Sequence, residues 1–161
     1  MTAIVELDYR SLRDRLSAAR REGKTIALAN GCFDVLHVGH IRLLRDAATE
    51  ADLLVVALNT DASVRAQEGK GGARPFIPLE ERAEIIAALR VVDFVTSFPE
   101  ATAHELIDAL RPDVQIKGTD RDPATVPERA VLEGYGGRIA ICGDAKTHAS
   151  SDVIRRMRTG G

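Results

Sequence analysis

The chain has 161 residues, 45% apolar and 29% charged, with 22 basic against 24 acidic side chains and a net charge of −2. Those proportions describe an ordinary globule of one domain, residues 1–161, with its core in about 24–158 and an N-terminal helix within 1–23. The missing basic excess, the 4% aromatic content and the absence of Trp argue against a nucleic-acid surface, and no 18-residue apolar run offers a membrane-spanning helix.

In chain order, Leu7–Arg21 is charged but places Leu12 and Leu16 one turn apart, so an amphipathic helix is expected, ended by Gly23. Thr25–Asn30 is a near-continuous apolar run, as in a strand buried on both faces. Val38–Glu50 has helical spacing at Ile41, Leu44 and Ala48. Leu53–Asn59 is the clearest buried strand, and Asp61–Gln67 a short helix. EGKGGARP, 68–75, has the composition of a flexible loop, with Pro78 just ahead of a helix over Leu79–Arg90. A strand Val92–Phe98, a helix Ala101–Leu110, a strand Asp113–Gly118, a helix Pro127–Gly134, a strand Arg138–Gly143 and a helix Ser151–Arg158 complete the chain.

Five apolar strands alternating with helices predict an α/β fold: a Rossmann-like, doubly wound, five-stranded parallel sheet with helices on both faces. Ligands of such sheets bind beyond the carboxyl ends of the strands. The informative residues are therefore those that follow strands: 30–40, 59–61, 117–120 and 143–151. The two cysteines, Cys32 and Cys142, lack metal-ligand spacing and read as free thiols. The opening MTAIVELDYR lacks the basic start and apolar run of a signal peptide, so a cytoplasmic location is expected.

One stretch, GCFDVLHVGH (31–40), carries the chemistry. It places His37 and His40 three residues apart at a strand-to-helix turn, where helix N-terminal amides attract anions and Gly39 admits a ligand close to the backbone. Imidazoles there can donate to phosphate oxygens as charge develops on them. A zinc site is disfavoured, since neither an HExxH glutamate nor a spaced third ligand is present, and there is no GxxxxGK[ST] loop. Lys117 ends an apolar strand and needs a partner.

GCFDVLHVGH resembles the GxFDxxHxGH signature of the cytidylyltransferase-like nucleotidyltransferases. The likeness runs from about Lys24 to Arg158. LNTDASV, RPFIPLEERAEII, VVDFVTSF, RPDVQIKGTD and ASSDVIRRM are most similar to the heptose 1-phosphate adenylyltransferases, whose domain is often fused to a sugar kinase. The resemblance implies direct transfer of AMP from ATP to D-glycero-D-manno-heptose 1-phosphate. The products would be pyrophosphate and ADP-heptose, a precursor of lipopolysaccharide core. A cytidylyl or guanylyl transfer to glycerol 3-phosphate or another small phosphate is the alternative. It further implies Mg²⁺ carried with ATP, no protein-only metal site, a sugar 1-phosphate as partner, neither nucleic acid nor membrane, and a homodimer. By the same resemblance His37, His40 and Lys70 are catalytic. Cys32, Phe33, Gly39, Lys117, Gly118, Asp120, Ser150 and Ser151 bind nucleotide, and Asp34, Asn59, Asp61, Arg74 and Arg82 bind substrate. Two positions depart from the family pattern: Cys32 stands where many relatives have Thr, and Arg121 where they have an aromatic.

Overall fold

Six apolar or alternating segments pair as parallel strands in a computed structural model that describes residues 2–67, 74–145 and 150–159. The strands are β1 (Ile4–Asp8), β2 (Ile26–Gly31), β3 (Leu53–Asn59), β4 (Phe94–Phe98), β5 (Val114–Gly118) and β6 (Arg138–Cys142). Their order across the sheet is β1-β4-β3-β2-β5-β6. The helices are α1 (Tyr9–Arg21), α2 (Val38–Ala47), α3 (Asp61–Ala66), α4 (Leu79–Ala87), α5 (His104–Leu110), α6 (Arg129–Glu133) and α7 (Ser150–Thr159), with a 3-10 turn at Pro123–Thr125.

The sheet has six strands where the apolar runs predict five. The extra strand, β1, lies at the sheet edge beside β4, within the segment assigned to an N-terminal helix. IVELD mixes apolar and acidic residues, and Ile4 and Val5 stay 44% and 46% exposed. An edge strand needs no buried run, so the criterion of continuous apolarity passes over it. The first helix accordingly starts at Tyr9, not Leu7, with Asp8 as its N-cap accepting from the Arg10 N–H at 3.0 Å.

Alternation along the strands splits the core in two. Ala27, Ala29, Leu54, Val56 and Leu58 face α2 and α4, joining Leu44, Ala47, Ala83 and Ile86. Ile26, Leu28, Val55 and Ala57 face α1, α5 and α6, joining Leu12, Leu16, Leu106 and Leu132. Leu12 and Leu16 are wholly buried, each worth roughly 1.5–3 kcal/mol on folding. Arg20 fastens α1 to the end of α5 by donating to the Leu110 and Arg111 carbonyls at 2.5 and 2.6 Å.

Chain direction across the sheet reverses between β2 and β5. From β2 the chain moves out through β3 and β4, then returns to place β5 on the other side of β2. The carboxyl ends of β2 and β5 flank this switch point, where a crevice opens in folds of this kind.

Candidate active site

The β2–α2 turn is built around a backbone strain. Phe33 has φ +47, a left-handed conformation rare for an aromatic residue. It turns the ring back over Gly31, where a Cβ would come within 3.3 Å of the ring. The same ring lies 5.2 Å from the His40 ring, so Phe33 buttresses the histidine from below.

The histidine pair lies at the helix start as the spacing predicts, with one difference. His37 is the N-cap of α2 and not a residue of its first turn. The two imidazoles close a reciprocal capping box: His37 Nδ1 accepts from the Gly39 N–H at 3.2 Å, and His40 Nδ1 accepts from the His37 N–H at 3.3 Å. Their ring centroids lie 3.9 Å apart with the planes tilted by 35°. An Nδ1 that accepts a backbone N–H has no proton of its own, so each neutral ring carries its proton on Nε2. Burial pushes the His40 pKa down to about 4, with the neighbouring His37 adding to the effect. His40 therefore presents a neutral Nε2–H donor at pH 7.

Two cavities adjoin at the switch point. The first, about 340 Å³, is lined by Cys32, Phe33, His40, Asn59, Lys117, Gly118 and Asp120 among others. It thus gathers seven residues singled out in the sequence, with His37 next to His40. Gly118 earns its place by clearance, since a Cβ there would stand 2.9 Å from Asp120 Oδ1. The second cavity, about 290 Å³, lies between the ends of β4 and β5 and is lined by Phe98, Thr102, Ala103, Thr125, Val126, Pro127 and Glu128 among others. Asn30, Asn59, Gln67, Lys117 and Arg121 line both and form the wall between them.

Lys117 finds the partner its position demands in Glu128, whose Oε2 lies 3.3 Å from Nζ. Burial lowers the Lys117 pKa and the Glu128 charge offsets this in part. Burial alone would raise the Glu128 pKa, but the nearby Lys117 ammonium holds it below the ordinary carboxylate value.

Four residues expected at the substrate line neither cavity. Asp34 is 1% exposed; it pairs with Arg74 and accepts from the Phe76 and Ile77 N–H groups at 2.8 and 3.0 Å. Arg82, also 1% exposed, donates to the carbonyls of Ile77, Cys32 and Asn59 at 2.9, 2.6 and 2.9 Å, and to Asp61 at 2.7 Å. These side chains tie the ends of β2 and β3 to the start of α4, behind the site. Asp61 is also the first residue of α3, whose cap is Thr60. Asn59 does reach both cavities, with its Nδ2 donating to Ser63 Oγ at 3.0 Å.

The call on Lys70 lies outside the described residues. Ser150 and Ser151 open α7, as the motif requires of a helix start, and their side chains also lie outside the description. Sequence reading missed Gln67, Thr102 and Glu128, and it placed Asn30 in the informative stretch 30–40 without giving it a role. Among the described residues, no three His, Cys, Asp or Glu side chains converge as metal ligands, and no helix is long and apolar enough to cross a membrane.

A family model described as cytidylyltransferase-like matches residues 28–151. Among curated proteins, the bifunctional protein HldE of Syntrophotalea carbinolica is 48% identical over 147 residues, covering 91% of this chain and 30% of that protein. The proteins of the same name from Geotalea uraniireducens and Streptomyces coelicolor are 46% and 43% identical, covering 90% and 88% of this chain and 29% and 30% of theirs. The chain therefore spans under a third of the length of these relatives. Among solved structures, a lipopolysaccharide core biosynthesis protein from Thermoplasma volcanium aligns with TM-score 0.65 at 26% identity, over 77% of this chain and all of that one. Pantothenate synthetase from Thermus thermophilus shares the fold at TM-score 0.60 and 13% identity, over 86% of this chain and 60% of that one.

Proposed function

The chain belongs to the cytidylyltransferase-like family, and from that premise we propose that it transfers AMP from ATP to D-glycero-D-manno-heptose 1-phosphate. The likeness to HldE proteins and to a lipopolysaccharide core biosynthesis protein favours this acceptor. An oxygen of the sugar phosphate attacks the α-phosphorus of ATP. The bond from that phosphorus to the oxygen bridging to the β-phosphate breaks, pyrophosphate leaves in line, and ADP-heptose is released.

The observation that carries the reading is the neutral His40 on the wall of the first cavity, with Nδ1 occupied by a backbone amide and Nε2–H available. A neutral donor fixed in place binds a developing phosphorane oxygen without the reorganisation that water would need. Phe33 and the capping box hold it there. The first cavity takes the nucleotide and the second the sugar phosphate, so that the two phosphates meet at the wall. Mg²⁺ would enter on the phosphate oxygens of ATP and neutralise charge there. Lys70, Ser150 and Ser151 would add contacts to those phosphates. In this reading the enzyme works in the cytoplasm as a homodimer.

The test is pyrophosphate release by the purified chain with Mg²⁺, crossing ATP, CTP and GTP against both anomers of heptose 1-phosphate and glycerol 3-phosphate. Turnover with ATP and one heptose 1-phosphate anomer is expected. Turnover with CTP and glycerol 3-phosphate alone would overturn the choice of substrates.

A further inference from the structure

Glu128 has no local reason to be where it is. It occupies the N-cap of α6, yet its side chain makes no cap hydrogen bond. It turns inward instead, 5% exposed, into the wall of the second cavity. There its Oε1 accepts a single long hydrogen bond, 3.4 Å, from the Ala103 N–H. Its Oε2 faces Lys117 Nζ at 3.3 Å, and among the described residues no well-directed hydrogen bond reaches it. A buried carboxylate normally has its lone pairs filled, since desolvating it is costly. Glu128 is part of the cavity wall, and the one long bond to Oε1 leaves acceptor capacity on that oxygen, while Oε2 itself is out of solvent contact behind it.

The surroundings define what can use it. Lys117 and Glu128 form an ion pair, and Arg121 adds a further positive charge to this wall. Phe98, Val126 and Pro127 supply an apolar floor and Thr102 a hydroxyl. One anionic group fits at the Lys117–Arg121 end. A second anionic group near Glu128 would meet a buried negative charge. A neutral body bearing hydroxyls would fill the spare lone pairs.

Resting on the adenylyl-transfer reading above, we propose that Glu128 is the positioning and specificity residue of the acceptor seat: it fixes the Lys117 ammonium on the wall against the acceptor's phosphate and accepts hydrogen bonds from the acceptor's hydroxyls. The acceptor lies with its phosphate toward the first cavity and its polyhydroxylated body against Glu128. Compounds with a second anionic group on that body are excluded.

The experiment compares steady-state kinetics of the full chain and its Glu128→Gln variant, following pyrophosphate with heptose 1-phosphate and ATP varied in turn. Gln keeps the shape and the Ala103 bond but removes the charge. An increase of about tenfold or more in the acceptor KM, with the ATP KM within about twofold, is expected. A merely structural role would shift both constants alike or only lower the melting temperature, and either result overturns the proposal. Should Glu128→Gln fail to fold, Ala101→Trp, at an exposed position on the rim of the second cavity, must raise the acceptor KM selectively; an unchanged acceptor KM overturns it equally. If the wild type uses glycerol 3-phosphate instead, the heptose reading falls and the same selective rise must appear for that acceptor. No turnover with any acceptor overturns both.

Discussion

At the residue scale, the imidazole pair does two jobs with its four nitrogens. Both Nδ1 atoms hold the helix start, and in the proposed reading the His40 Nε2–H donates to the ligand. Replacing His40 removes one preorganised donor, so His40→Ala is expected to cut kcat by roughly 10²–10³ with ATP affinity within a few fold. Pre-steady-state turnover and equilibrium ATP titration of the same variant check the split; an unchanged kcat removes His40 from the chemistry. The sequence exposed this pair because a strand-to-helix turn with two histidines around a glycine is a local pattern. Lys117 was half legible, since a charge ending an apolar strand demands compensation. Its partner was not: Glu128 is eleven positions on, beyond a 3-10 turn, and no local spacing foretells their ion pair. Asp34 sits inside the motif and so reads as a ligand; its contacts to the amides of Phe76 and Ile77, more than forty positions on, were not legible.

At the element scale, Arg82 is a clasp between segments. Its guanidinium joins the last residues of β2 and β3 to the loop that precedes α4. Three of its acceptors are backbone carbonyls that lose this buried charged donor without it. Arg82→Met, which keeps the aliphatic stem, is expected to destabilise the chain by about 3–5 kcal/mol, the scale of breaking a buried charged network. Urea unfolding measures this; a loss below about 1 kcal/mol would mean that water replaces the guanidinium at no cost. Helix and strand order was legible from apolar periodicity, with boundaries displaced by a few residues at α4 and α5. The edge strand β1 was not, because its stability comes from pairing with β4 and from Ala3 and Leu7 against the core. No local run of its own announces it.

At the scale of the whole molecule, the buried neutral histidine links stability to pH. The folded His40 pKa is about 4, against the ordinary 6.5 that the unfolded chain recovers. Below pH 6.5 the unfolded chain binds a proton that the folded chain refuses, so stability falls as pH drops from 6.5 to 4 and levels off below. The full span is worth about 3–4 kcal/mol, from some 2.5 units at 1.36 kcal/mol each. Denaturant unfolding across pH 4–7.5 should show this slope in the wild type and a flatter one in His40→Gln; equal slopes would assign the acid sensitivity to other groups. A second consequence lies in the wall between the cavities. Asn30, Asn59, Gln67, Lys117 and Arg121 each face both ways, so a ligand that orders them on one side sets the partners met on the other. Under the proposed reading each substrate is an effector of the other. The factor by which ATP alters acceptor affinity must equal the factor by which the acceptor alters ATP affinity, because the two share one coupling free energy.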